Sequence, residues 1–216
     1  MDELRRFCIR MLGASPAAGS AAEAAAAGAE DGDRLATLQA AVLECRRVTN
    51  TEPGAAADVA VTEGRPQPAA RGGTGLATAV ARELAAATAR LSAPEREALA
   101  LCDLLGLPYE EIAAVTGTEL DTVAPLLAGA RLRLRQELRG SGTPSPECPE
   151  RDRALRTIAA RQDDEPVAAA DAEWLIEHLG HCRGCAQVHA AMLEATACYR
   201  GWGAAEGAGA LSGAGT

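Results

Sequence analysis

"PYEEIAAVTGTELDTVAPLLAGARLRLRQEL", residues 108–138, decides the fold. Pro108 starts a short helix that stops at Gly117. A longer helix then runs from about Thr122 to Leu138, with Val123, Leu126, Leu127, Leu134 and Leu138 apolar. A short helix, a glycine turn and a longer second helix make a helix-turn-helix. Immediately upstream, Ser92 and Glu95 have the spacing of a capping box, with Pro94 in the first turn. The helix they open carries Leu99, Leu101, Cys102, Leu104 and Leu105 and stops at Gly106.

Working outward, helical patterns cover residues 3–13, 33–48 and 76–91 on the amino-terminal side, with an alanine-rich stretch between the first two. Residues 50–75 are rich in Gly, Pro and Ala without a period and read as a flexible linker. On the carboxy-terminal side "GSGTPSPECPE" breaks the chain, and "RDRALRTIAARQ" (151–162) and residues 171–202 are helical in pattern. The tail, 203–216, reads as disordered. No stretch has strand character. The expected fold is all-α: a helix-turn-helix at 76–140, a small helical domain at 141–202, and short helices at 1–49.

Composition narrows the function. Alanine and glycine dominate and aromatics are only 2%, which argues against one large core. The net charge is −9 and arginine supplies every positive side chain, so nucleic acid is repelled unless arginines cluster locally. No stretch of 18 strongly apolar residues is present, and the start lacks a signal-peptide pattern, so a cytoplasmic protein with no membrane contact is expected. There is no phosphate loop, nucleophile elbow or paired carboxylates. The reading is not an enzyme, with no small-molecule substrate.

Residues 91–138 closely resemble region 4 of extracytoplasmic-function sigma factors. The resemblance lies in "LSAPEREAL", "LLGLPYEEIAAVTG", "TV" at 122–123 and "ARLRLRQEL" at 130–138. It implies a domain that holds RNA polymerase core and reads promoter DNA at transcription initiation. Thr122, Arg131, Arg133 and Arg135 are then the candidate DNA contacts. The chain departs from the family just after "TV", where Lys, Ser and Arg are usual. Here stand Ala124, Pro125, Leu126 and Gly129, and residues 118–130 hold no Arg or Lys to donate to base edges. Pro125 fits a helix only within its first turn. The arginines also have a plainer reading as a solvated helix face, since residues 91–140 carry eight acidic side chains against five arginines. Residues 1–49 resemble a degenerate region 2, without the aromatic residues that promoter opening uses.

"EHLGHCRGC", residues 177–185, is the other dense signal. His178, Cys182 and Cys185 form H-x3-C-x2-C; on a helix His178 and Cys182 share a face and Cys185 lies one turn beyond. Two thiolates and an imidazole suit zinc, and Cys148, ahead of a helix that can fold back, supplies a fourth ligand. His181 competes with His178 but points off the shared face. His189 reads as exposed, and Cys8, Cys45, Cys102 and Cys198 as small apolar residues. A metal-free redox pair is the alternative for Cys182 and Cys185, as is a relic that binds nothing. Residues 148–194 resemble the zinc-binding anti-sigma domain, through "CPERDRALRTIAARQDDEP" and "WLIEHLGHCRGC". That resemblance implies a structural or redox-sensing zinc domain controlling the helix-turn-helix. The alternative function is an anti-sigma-like adaptor that grips another sigma factor without reading DNA.

Overall fold

The computed structural model describes residues 2–28, 33–51, 74–140 and 147–211, with backbone alone for 74–78 and 203–211. Every element is helical; no strand occurs among the described residues. In chain order these are α1 (Asp2–Leu12), α2 (Pro16–Gly28), α3 (Arg34–Thr51), α4 (Thr74–Ala89), α5 (Ala93–Leu99), α6 (Tyr109–Thr116), α7 (Leu120–Arg139), α8 (Arg151–Gln162), α9 (Ala169–His181) and α10 (Arg183–Leu211). The all-α expectation holds. Of the expected linker, residues 52–73 lie outside the described residues.

The first three helices show how small side chains build a core. α1 buries Leu4, Phe7, Cys8 and Met11, one stripe at helical spacing. α2 starts with Pro16 at its first position and buries Ala18, Ala21, Ala22 and Ala25, a stripe of methyl groups that lets α1 and α3 approach closely. Asp33 starts α3 by accepting the backbone N–H groups of Leu35 and Ala36 at 2.9 and 3.1 Å. α3 is then fastened to the helix-turn-helix: Arg46 donates to both carboxylate oxygens of Glu97 at 2.7 and 2.6 Å and to the carbonyl of Thr116. Glu97 is 1% exposed.

At the start of α5 the Glu95 carboxylate accepts from the Ser92 backbone N–H at 2.8 Å and from its hydroxyl at 2.7 Å, as the capping spacing foretold. α5 runs on through a π-helical turn, Ala100–Leu104. Gly117 closes α6 with φ 72°, a left-handed backbone that favours glycine.

α7 is the centre of the molecule because it is apolar on two sides. Val123, Leu127 and Leu134 join a core with Leu99, Leu101, Ile112, the α1–α3 stripes, and Tyr199 and Trp202 of α10. Ala128 and Leu132 join a second core with Ile158, Leu175, Cys185, Val188 and Met192 from α8, α9 and α10.

Two expectations are corrected. Residues 171–202 are not one helix: the chain breaks at Cys182, with φ −100° and ψ 94°, so His178 and Cys182 do not share a continuous helix face. The tail is helical to Leu211 rather than disordered from 203; four alanines there favour the helix and three glycines weaken it. Residues 212–216 lie outside the described residues. Pro125 is the sixth residue of α7, past the first turn, where its missing N–H leaves the Asp121 carbonyl without its helical donor.

Candidate metal centre and its junction with the helix-turn-helix

The break at Cys182 is what assembles the cysteine–histidine cluster. α9 brings His178 to its last turn, and the Cys182 N–H donates back to the His178 carbonyl at 2.7 Å. α10 then starts at Arg183 in a new direction and carries Cys185 in its first turn. Cys148 arrives from the other side, just ahead of α8, where its carbonyl accepts the Arg151 N–H at 3.1 Å. The ligand atoms of Cys148, His178, Cys182 and Cys185 all lie within 4.8 Å of one another, a group that could hold a metal ion. Cys148 Sγ and His178 Nε2 are 3.6 Å apart.

The thiols differ in environment. Cys182 is held below the ordinary thiol range, first by the backbone N–H of Cys185, which donates to its sulfur at the start of α10. Cys185 is pushed up to about 12, chiefly by burial. His181 stays out of the cluster: it is exposed, with Nδ1 2.9 Å from the Glu177 carbonyl. His189 is half-buried rather than exposed, and burial lowers its pKa. Cys8 and Cys45 pack in the apolar core as small residues, as expected, and also face each other across α1 and α3, a thiol hydrogen bond holding Cys8 low and Cys45 high.

The arginines expected at phosphates are differently placed. Arg131 is a correction: it is fully buried. Its guanidinium donates to Asp103 at 2.8 and 3.1 Å and to Asp163 at 2.6 and 2.9 Å. Asp163 also accepts the Tyr109 hydroxyl at 2.7 Å, and Glu165 accepts the Tyr109 N–H at 2.7 Å, so the α8–α9 loop pins the start of α6. Arg200 of α10 donates to Asp103 at 3.2 Å. Cys102, Asp103 and Asp163 also group closely enough for a metal, but the guanidiniums of Arg131 and Arg200 already pair with both carboxylates.

Arg135 donates to Glu194 of α10 at 3.1 Å, and Arg139 pairs with the same carboxylate. Arg133 and Thr122 are exposed, Thr122 donating to the Glu119 carbonyl at 2.6 Å. Sequence reading did not foresee Asp163 and Glu194 as partners of α7, since nothing local marks pairs so distant in the chain. Trp174 was missed as well, although its position four residues before His178 marks it as a same-face neighbour on a helix.

No helix among the described residues is long and apolar enough to cross a membrane. No curated protein and no solved structure matches the chain. Residues 81–134, α5 to α7 with their approach, match the family model described as Sigma-70, region 4, over about a quarter of the chain, and the helix-turn-helix of α6 and α7, as far as Leu134, lies within the matched segment.

Proposed function

We propose that the protein is a sigma-factor-like regulator of transcription initiation, with RNA polymerase core, promoter DNA or both as partners of its helix-turn-helix. A carboxy-terminal zinc domain sets the availability of α7. One observation carries this reading: the segment matched to region 4 has its second helix clasped by the same carboxy-terminal segment that holds the cysteine–histidine group. Such a role places the protein in the cytoplasm, and the helices before residue 52 then stand as a degenerate region 2 docked on the helix-turn-helix.

The donor set supports zinc. Three thiolates and an imidazole match its preference, and a tetrahedral zinc at about 2.3 Å from sulfur separates its ligands by about 3.5–3.8 Å. The 3.6 Å between Cys148 Sγ and His178 Nε2 fits that spacing. Four protein ligands leave no open position, so the ion would be structural, tying the Cys148 segment to the α9–α10 junction. Its thiolates would be its point of response to oxidation.

A specific observation favours a second reading, an adaptor that binds another sigma factor without reading DNA. Arg131 is buried, Arg135 and Arg139 are paired with Glu194, and the first half of α7 offers Ala124, Pro125, Leu126 and Gly129 where donors would be needed. Affinity purification from the native cell under reducing conditions, with mass spectrometry, separates the two. Core polymerase subunits support the sigma-factor reading; another sigma factor without core supports the adaptor. Neither would defeat both.

A further inference from the structure

A metal-bound imidazole must be oriented as well as near. A histidine ligated through one ring nitrogen can still tilt and swing about its side-chain bonds, and metal sites ordinarily fix the ring through groups outside the ligand set. In this chain the face of the ring is held. His178 stacks on Trp174 with ring centroids 4.8 Å apart and planes inclined by 21°. Both sit on α9, four residues apart, so their side chains lie one above the other along the helix. Trp174 is fixed in turn from α8: the Arg153 guanidinium carbon lies 4.0 Å from its ring centroid. Arg153 is anchored by donating to Asp171 Oδ1 at 3.0 and 2.6 Å. The stack thus runs from the helix that follows Cys148 to the helix that carries His178, and sets His178 with Nε2 3.6 Å from the Cys148 sulfur.

We propose that Trp174 is the positioning residue of the metal centre, holding the His178 ring by its aromatic face so that Nε2 meets the ion presented by Cys148, Cys182 and Cys185. The inference rests on the metal reading above. It assigns Trp174 a role that bulk alone does not fill: what matters is a flat ring against the imidazole.

The test uses the full chain, reduced and metal-free, titrated with Co2+ and followed by thiolate charge-transfer and d–d absorption. Zn2+ affinity comes from competition with a chromophoric chelator. Four proteins are compared: wild type, Trp174→Ala, Trp174→Leu and Trp174→Phe. Trp174→Ala and Trp174→Leu are expected to bind Zn2+ about 10- to 100-fold more weakly, the loss typical of groups that orient ligands. Their Co2+ d–d bands should shift as the imidazole contribution changes, while the thiolate charge-transfer bands persist. Trp174→Phe keeps a ring face and should stay within a few-fold of wild type. Should Trp174→Ala fail to fold, the comparison of Leu with Phe still decides. Wild-type affinity and spectrum in Trp174→Leu would overturn the positioning role and leave the metal reading standing. Equal losses in Leu and Phe would also overturn it, since a ring would then make no difference. A wild-type chain that takes up no Co2+ would overturn the metal reading itself and this inference with it.

Discussion

Arg131 of α7 and Asp163, just after α8, lie 2.6 Å apart with side chains 0% and 3% exposed, and this pair bolts the carboxy-terminal segment to the helix-turn-helix. Asp103, itself 0% exposed on the side chain, shares the same guanidinium. Removing the guanidinium strands two carboxylates inside the protein, and breaking a buried ion pair by deleting one partner costs about 3–5 kcal/mol. Arg131→Met, close in volume, is therefore expected to lower the unfolding free energy by about that amount in urea denaturation. A change below 1 kcal/mol, on the order of an exposed pair, would mean that Arg200 alone compensates both carboxylates.

The pairing of Glu194 with Arg135 and Arg139 bears directly on DNA. Glu194 pairs with both guanidiniums and so competes with a phosphate for their charge. Glu194→Gln removes the competing charge. If α7 contacts DNA at all, duplex binding in a gel shift should strengthen in this variant. The slope of log affinity against log salt should steepen by about 0.9 for each arginine released onto a phosphate. Binding by neither protein at low salt would leave the adaptor reading in possession.

The same carboxylate gives a pH dependence with a definite sign. Hydrogen bonds from Arg139 and then Arg135 hold Glu194 below its ordinary value of 4.5. A group whose folded pKa is depressed stabilises the folded state above its unfolded pKa, and that contribution is lost as pH falls through the folded value. The difference in melting temperature between wild type and Glu194→Gln should therefore be level from neutral pH down to about 4.5 and shrink below it. A difference that instead grew on acidification would contradict the assignment.

What could be read from sequence followed local rules. Gly117 stops a helix because a left-handed residue is needed there, and Ser92 with Glu95 starts one because their spacing spans a first turn. The cysteine–histidine group was legible because three of its members fall within eight positions of the chain. The break at Cys182 was not, since the apolar pattern continues through it and only the flanking Gly180 and Gly184 hint at a bend. Arg131 was misread for a related reason. An arginine on a helix looks solvated until its partners are known, and those partners lie 28 and 32 residues away with no periodicity to announce them.

Chelation tests whether the second core depends on the proposed metal. Cys185 is 1% exposed and packs with Ile158, Leu175, Val188 and Met192, so the ligand set and the core of α8–α10 are one structure. Structural zinc contributes about 10–16 kcal/mol of apparent binding energy in small domains. A chelator and Cys185→Ser should each raise amide hydrogen exchange in α8 and α9, and the two together should do no more than either alone. Cys198→Ser, outside the group, should leave exchange there unchanged. Unchanged exchange after chelation would remove the metal from the fold of this segment.

Pro125 tests whether α7 has given up reading DNA. It is exposed, and it sits at the sixth position of a helix whose Asp121 carbonyl it leaves without a partner. Proline in a helix interior costs about 3 kcal/mol relative to alanine. Pro125→Ala should thus stabilise the protein by up to about 3 kcal/mol in chemical denaturation, since no described packing depends on the ring. The informative variant is Pro125→Arg, which adds the same helical N–H and places a cationic donor in the half of α7 that has no Arg or Lys. Stabilisation in both variants, with DNA binding gained only by Pro125→Arg, would show that the helix-turn-helix keeps the geometry of a reading head and lacks only its donors. Stabilisation in both without any DNA binding would show that the surface of α7 now serves a protein partner.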